Sequence, residues 1–391
     1  MANELMILVD LAIVIFMAKI LEEILARIGQ PPILGDLLAG IIVGPSILGL
    51  ITVTHNVEVV GWLGIVILIF LAGLETDIDT AKKYGFDAIM VALGGVALTF
   101  GLAFIIALFF NYSLITSLFI ATILSPTSVS VTTMTLLELG VIRSRVGEII
   151  LGAAFADDVI AMILFALVSS IAFYGEIRHE SIIMISIGLA VIFSLFIILY
   201  YSSNKLFNKL IMRSRLVDAP IIHLLMIGIG MSIISAYFGL SPLPGAYLGG
   251  LAMSRVVKSA RTRDFLEILV QIISPFFFVY AGILLNPWIV IGKINLVETI
   301  GVVLAIVASG IVGKIVGCGG TAYLLRIDKK SSLTIGVGMM PRAGVDLVIA
   351  VVGLTIGVLT MELYLSALIL IYVTSLSTPF ILKKLLSKIS A

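Results

Sequence analysis

Residues 149 to 174, IILGAAFADDVIAMILFALVSSIAFY, decide the fold class. The run is long enough to span a bilayer as a helix, which takes about 20 apolar residues, and its only charges are two adjacent aspartates, Asp157 and Asp158. A carboxylate at membrane depth costs roughly 2.5 to 3.5 kcal/mol on insertion scales, so it persists where it faces a protein-lined cavity, a counter-charge or an ion. The stretch therefore reads as a spanning helix that carries an ion or proton site.

The rest of the chain has the same character. Its 391 residues are 61% hydrophobic and 12% charged, with a mean hydropathy of +1.25. A water-facing surface that apolar would aggregate, so the fold class is an all-α polytopic membrane protein. Apolar runs bounded by charges or by Gly, Pro and Asn predict thirteen transmembrane helices. They fall at 5–26, 32–50, 58–75, 86–110, 113–138, 146–173, 181–202, 219–238, 242–257, 265–286, 296–325, 332–357 and 361–383. The longest polar connector, Ser202 to Asp218, is too short to be a domain, so no soluble regulatory domain is expected.

Charge gives an independent check on that count, because Lys and Arg accumulate on cytoplasmic loops. Alternate connectors carry nineteen Lys and Arg in one set and two, Arg178 and Lys293, in the other; Lys19, Lys314 and Arg342 lie within spans, which accounts for all 24. The N-terminus is then outside a cell membrane and the C-terminus cytoplasmic. MANEL lacks a basic leader region and no small-residue cleavage motif follows it, so the first helix is expected to be retained. The single cysteine, Cys318, excludes an internal disulfide, and His55, His179 and His223 are too scattered to build a transition-metal site.

An internal repeat organises the spans. Pro32, Gly35 and Gly40 of PPILGDLLAG recur as Pro242, Gly245 and Gly250 of SPLPGAYLGG, 210 positions later. Ala72 and Gly73 recur as Ala281 and Gly282 at an offset of 209, and Pro126 as Pro341 at 215. The chain divides into helices one to six in residues 1–173, a linker helix and cytoplasmic connector in 174–216, and helices eight to thirteen in 217–391. An odd number of intervening crossings inverts the second six-helix repeat relative to the first. Inverted repeats belong to secondary transporters, whose substrate site lies near the midplane and is built by interrupted helices.

Pro126 and Pro341 sit mid-span in the fifth and twelfth helices. Proline removes a backbone donor and frees neighbouring carbonyls, which in lipid is tolerated only where backbone is buried in protein or lines a cavity. Freed carbonyls and the hydroxyls of Ser125, Thr127, Ser128 and Ser130 are then candidate cation ligands. Neighbouring positions on a helix point about 100° apart, so Asp157 and Asp158 have different roles: one meets a counter-charge and the other an open cavity. Lys314, at the centre of the eleventh span, needs an anion to stay charged. Arg342 and Asp346 either neutralise each other or compensate half-helix ends, the guanidinium capping carbonyls and the carboxylate meeting amides. Asp36 reads as interfacial or as lining a cytoplasmic funnel, and Lys19 with Glu22 and Glu23 as an intrahelical pair.

PPILGDLLAGIIVGP, FLAGLETD, LSPTSVS, AAFADDVIA, the lone Lys314 and MMPRAGVDLVIA together resemble the second branch of the monovalent cation:proton antiporters, the NapA- and Kef-like exchangers, over essentially the whole chain. The resemblance implies an NhaA- and NapA-like fold with crossed broken helices, a core ion-transport domain moving like an elevator, and a dimerisation domain that makes a homodimer. It makes Asp158 the principal ion and proton carboxylate, pairs Asp157 with Lys314, and puts Thr127 and Ser128 beside the ion. Paired aspartates imply electrogenic exchange of protons for Na+ or Li+, with no cofactor, no enzymatic activity and no nucleic-acid partner. Kef-type potassium systems carry an acidic residue directly after Pro-Arg-Gly and a nucleotide-binding domain; the motif here is Pro-Arg-Ala-Gly-Val-Asp, which favours Na+ over K+. A sodium-coupled organic solute symporter shares the broken helices but does not call for a buried lysine. An intramembrane aspartyl protease needs its aspartates on two facing helices.

Overall fold

A computed structural model describes residues 2–75, 85–174, 179–213, 219–256, 260–288 and 296–386, and their regular structure is helical throughout. The first helices are α1 (Ala2–Arg27), α2 (Ile33–Val43), α3 (His55–Glu75), α4 (Gly85–Phe109), α5 (Leu114–Ile123), α6 (Val129–Glu138) and α7 (Arg145–Tyr174). There follow α8 (His179–Arg213), α9 (Ala219–Tyr237), α10 (Pro242–Met253), α11 (Ala260–Leu284) and α12 (Leu296–Leu324). The last are α13 (Lys329–Gly338), α14 (Val345–Thr355) and α15 (Met361–Leu386). Among the described residues six helices have the length and apolar composition to cross a bilayer: His55–Glu75, Gly85–Phe109, Arg145–Ala172, Ser186–Ser203, Val297–Leu324 and Met361–Leu386. Several connectors that carry the charge asymmetry, with Lys82, Lys83, Arg178, Arg215, Lys258, Lys293 and Lys388, lie outside the described residues.

Two of the expected spans are interrupted where proline falls. Residues 124–128 separate α5 from α6, and residues 339–344 separate α13 from α14. Each leading half-helix is 10 residues long and is capped by a side chain that satisfies orphan first-turn amides. Ser113 accepts from the Thr116 amide at 3.1 Å, and Asp328 accepts from the Lys330 and Ser331 amides at 3.0 Å. Hydrogen bonds from the Ser331 side chain and backbone hold the Asp328 carboxyl below the usual carboxylate range.

Left-handed backbone recurs at matching places. Gly29 (φ 71°) follows α1 and Gly239 (φ 73°) follows α9, 210 positions apart. Asn111 (φ 61°) precedes the Ser113 cap and Arg326 (φ 64°) precedes the Asp328 cap, 215 apart. Gly140 (φ 67°) follows α6 and Gly357 (φ 74°) follows α14, 217 apart. Glycine takes this conformation without a Cβ penalty, and Asn accepts it more readily than most residues. Arg326 is the uncommon case.

The chain forms two compact units. Unit 1 comprises residues 1–15, 53–79 and 166–280. Its core is α3 against α10, with α9 and α8 packed on α10. Gly73 and Gly250 permit that contact, because a Cβ at Gly73 would overlap the Tyr247 carbonyl and one at Gly250 the Phe70 carbonyl. Unit 2 comprises residues 16–52, 80–165 and 281–391. There Gly282 of α11 meets the Leu37 carbonyl of α2 in the same way. The main seam of unit 2 is α4 against α12, where Gly94, Gly95, Gly313 and Gly317 bring backbones together as small residues do in membrane helix pairs.

Candidate ion-binding site

All the candidate residues that the structure describes belong to unit 2. α7 carries Asp157 and Asp158 past a face of small and apolar residues. Ile149, Ile150, Ala153 and Ala154 on that face pack with Val91 and Ala92 of α4, Cys318 and Ala322 of α12, and Ile335 and Met339 at the end of α13. Tight packing over that turn leaves the next one, with the two carboxylates, beside both helix interruptions.

Asp157 is wholly buried, and so is Lys314, which reaches it from α12. The Lys314 ammonium donates to Asp157 Oδ2, and Thr127 Oγ1 donates to the same oxygen at 2.6 Å. A buried charge this far from water requires such pairing; removing one partner of a buried pair typically costs about 3 to 5 kcal/mol. The Met339 carbonyl, 3.0 Å from the same hydroxyl, is a second acceptor that shares its one proton. Asp158 has a different setting: the residue is half-buried, and its Oδ1, like Oδ1 of Asp157, is a buried atom with no hydrogen bond to a described residue.

The two interruptions lie directly on each other. The Ser128 amide donates to the Pro341 carbonyl at 2.8 Å, and Thr132 Oγ1 donates to the Gly338 carbonyl at 2.7 Å. Carbonyls at the second interruption thus receive donors from the first interruption and from α6. Pro126 and Pro341 are both buried, in keeping with the rule that irregular backbone at membrane depth is sheltered by protein.

Arg342 and Asp346 flank the second break and are buried to 0% and 4% exposure. Asp346 Oδ1 accepts from the Gly344 amide at 2.7 Å, where α14 begins. No ion pair closes between Asp346 and Arg342 among the described residues, and none of the guanidinium nitrogens hydrogen-bonds a described residue, so the expected capping of carbonyls by Arg342 is absent there. Its own carbonyl accepts from Ser375 of α15. The local charge inventory is three carboxylates (Asp157, Asp158, Asp346) against two cations (Lys314, Arg342). Fully ionised, the group keeps one negative charge; among the described residues the carboxylates without a cation in contact are Asp158 and Asp346, and Asp346 is held by the Gly344 amide.

Some sequence expectations divide differently in three dimensions. Thr127 turns its hydroxyl onto Asp157, so it fixes that carboxylate. Ser125 is occupied locally, donating to the Ala121 carbonyl at 2.9 Å. Ser128 joins the breaks through its backbone, and the side chain of Ser130 lies outside the described residues. The contribution of Thr132 and of the Gly338 and Met339 carbonyls had no local sequence signal beyond proximity to Pro341.

The comparisons with known proteins fit this arrangement. The family model described as "Sodium/hydrogen exchanger, transmembrane" matches residues 12–388. The chain is 31% identical over 383 residues to a Bacillus cereus protein named Probable Na(+)/H(+) antiporter GerT, covering 96% of this chain and 98% of that one. It is 28% identical over 375 residues to the Bacillus cereus Na(+)/H(+)-K(+) antiporter GerN, covering 96% and 95%. In fold it is similar to the sodium proton antiporter MjNhaP1 of Methanocaldococcus jannaschii, with a TM-score of 0.72, 15% identity, and coverage of 97% and 96%.

Proposed function

Because this chain belongs to the transmembrane sodium/hydrogen exchanger family, a family of multi-pass membrane transporters, we propose that it exchanges Na+ for H+ across a cell membrane by alternating access. The observation that carries the reading is the asymmetry of the acidic pair. Asp157 is neutralised in place by Lys314, with Thr127 donating to the same oxygen, while Asp158 has no cation in contact among the described residues and lies half-buried beside the crossed breaks; one oxygen of each carboxyl has no described donor. A single surplus negative charge is satisfied by one monovalent cation or one proton. Both at once would overcharge it.

Exclusive occupancy of Asp158 is the coupling. Ionised, it binds Na+; protonated, it releases it. Asp157 and Lys314 form the balanced pair beside it, and release of the Lys314 contact during the cycle would let a second proton take part, making exchange electrogenic. With one net charge moved per cycle, about 100 mV of membrane potential contributes roughly 2.3 kcal/mol. Li+ is carried on the same ligands. The name of one relative includes K+, and K+/H+ exchange is the second reading.

The proposed architecture has thirteen crossings with the N-terminus outside, arranged as two inverted six-helix repeats about the linker helix. The recurring left-handed residues, the equal half-helices and the duplicated glycine contacts of Gly73 and Gly282 support it. The functional unit is a homodimer. Reconstituted in proteoliposomes, the protein should quench an imposed pH gradient on addition of Na+, and Asp158→Asn should abolish that response. Full exchange in the variant would overturn the assignment, and a response to K+ alone would select the second reading.

A further inference from the structure

A second carboxyl pair lies in unit 2, remote in sequence from the acidic pair of α7. Asp36, in the first turn of α2, is completely buried, and neither of its carboxylate oxygens receives a hydrogen bond from any described residue. A lone carboxylate in that position would carry the full cost of a buried, unpaired charge. Its principal charged neighbour is the carboxyl of Glu22 on α1, with Lys19 acting more weakly. Lys19 is engaged by Glu22, its ammonium 2.6 Å from Oε2. Exposure falls stepwise inward: the side chains are 46% exposed at Lys19 and 19% at Glu22, and Asp36 is at 0%. The three residues run from the surface of the chain to a buried acid.

The neighbourhood restricts what can neutralise Asp36. From α1 come Glu22 and Lys19. From α15 comes the phenol of Tyr372, which donates to the Leu34 carbonyl at 3.1 Å. α11 contributes the backbone of Gly282 against Leu37 and Gly40. The backbones of α1 and α2 touch here, for a Cβ at Gly35 would stand 2.5 Å from the Glu22 amide nitrogen and 2.7 Å from the Leu21 carbonyl oxygen. One ammonium cannot balance two carboxylates, and facing carboxylates repel unless a proton lies between them.

We propose that Glu22 and Asp36 form a second proton-binding site, one proton shared between the two carboxyls, which carries no cargo and sets the pH at which exchange runs. Loss of that proton places like charges across the contact between the C-terminal part of α1 and α2. α2 is tied to α15 through Tyr372, and α15 to the second helix break through Ser375 on the Arg342 carbonyl. The loading state of the pair therefore bears on an element of the ion site without touching Asp157 or Asp158. The regulatory half of the proposal rests on the exchange reading above; the proton site does not.

The test is infrared difference spectroscopy of the purified full chain, stepped from acid to alkaline pH in sodium-free buffer. Besides the band of Asp158, which Na+ displaces, a second protonated-carboxyl band should titrate, vanish in Asp36→Asn, move its midpoint by about one pH unit or more in Glu22→Gln as the like-charge neighbour is removed, and persist in Asp158→Asn. A spectrum that loses no band in Asp36→Asn, or loses only the band that Na+ displaces, overturns the site; where Asp36→Asn fails to fold, an unmoved midpoint in Glu22→Gln of the band that persists in Asp158→Asn does so. In proteoliposomes Glu22→Gln should shift the pH of half-maximal exchange while leaving the maximal rate within about twofold, and an unshifted profile overturns the regulatory half alone. Failure of the exchange reading itself would show separately, as Na+-independent behaviour of the wild-type chain.

Discussion

Replacing Lys314 with Met keeps most of the side-chain volume and removes the only ammonium in contact with Asp157 among the described residues. Both residues have zero exposure, so water cannot substitute for the lost partner, and Thr127 remains as the single described donor to that carboxylate. Breaking a buried pair from one side costs about 3 to 5 kcal/mol. Adding Asp157→Asn removes the stranded charge, so the double variant should recover much of the stability. Thermal unfolding of the purified protein in detergent, run for both single variants and the double, gives the coupling energy. Additive effects would refute the reasoning.

Thr127→Val deletes one hydrogen bond to a charged group, a loss of about 1.5 to 3 kcal/mol, and frees Asp157 to shift toward Asp158. Apparent Na+ affinity in the exchange assay should fall roughly 10- to 150-fold on that scale, and Thr127→Ser, which keeps the hydroxyl, should remain close to wild type; equal damage from both would show that the methyl group matters instead. Gly282→Ala drives a Cβ into the Leu37 carbonyl, an overpacking cost of about 1 to 3 kcal/mol, whereas Gly301→Ala, with open space at that position, should be neutral. Unfolding midpoints of the two variants test the difference.

How much of this was legible beforehand depends on the scale of the interaction. The cost of charge in lipid acts on any sequence, so Asp157, Asp158 and Lys314 were conspicuous within their apolar runs. Proline chemistry likewise marked both helix breaks. The division of labour inside the site was not readable, because it depends on which way each short side chain turns. Ser125 and Thr127 are two positions apart, yet one serves a carbonyl of its own helix and the other a carboxylate on α7. For Arg342 the sequence left open an ion pair with Asp346 or the capping of carbonyls, and its guanidinium makes no hydrogen bond to a described residue, while Asp346 takes the Gly344 amide and Ser375 the Arg342 carbonyl. The matching turns at Asn111 and Arg326 were hidden for another reason. Their left-handed backbone closes the preceding helix, the Tyr112 amide donating to the Ala107 carbonyl and the Ile327 amide to the Ala322 carbonyl, at a position usually marked by Gly, so Arg326 in particular does not announce it.

The central claim is that Na+ and H+ take turns on Asp158, and equilibrium Na+ binding to the purified protein as a function of pH tests it most directly. A ligand that must lose one proton before it can bind a cation shows an apparent Kd that weakens about tenfold for each pH unit below its titration point. The account predicts that slope in the wild type, reaching a plateau at alkaline pH, and no measurable Na+ binding in Asp158→Asn. A Kd that stays constant from acid to alkaline pH, or undiminished binding in the variant, would contradict it.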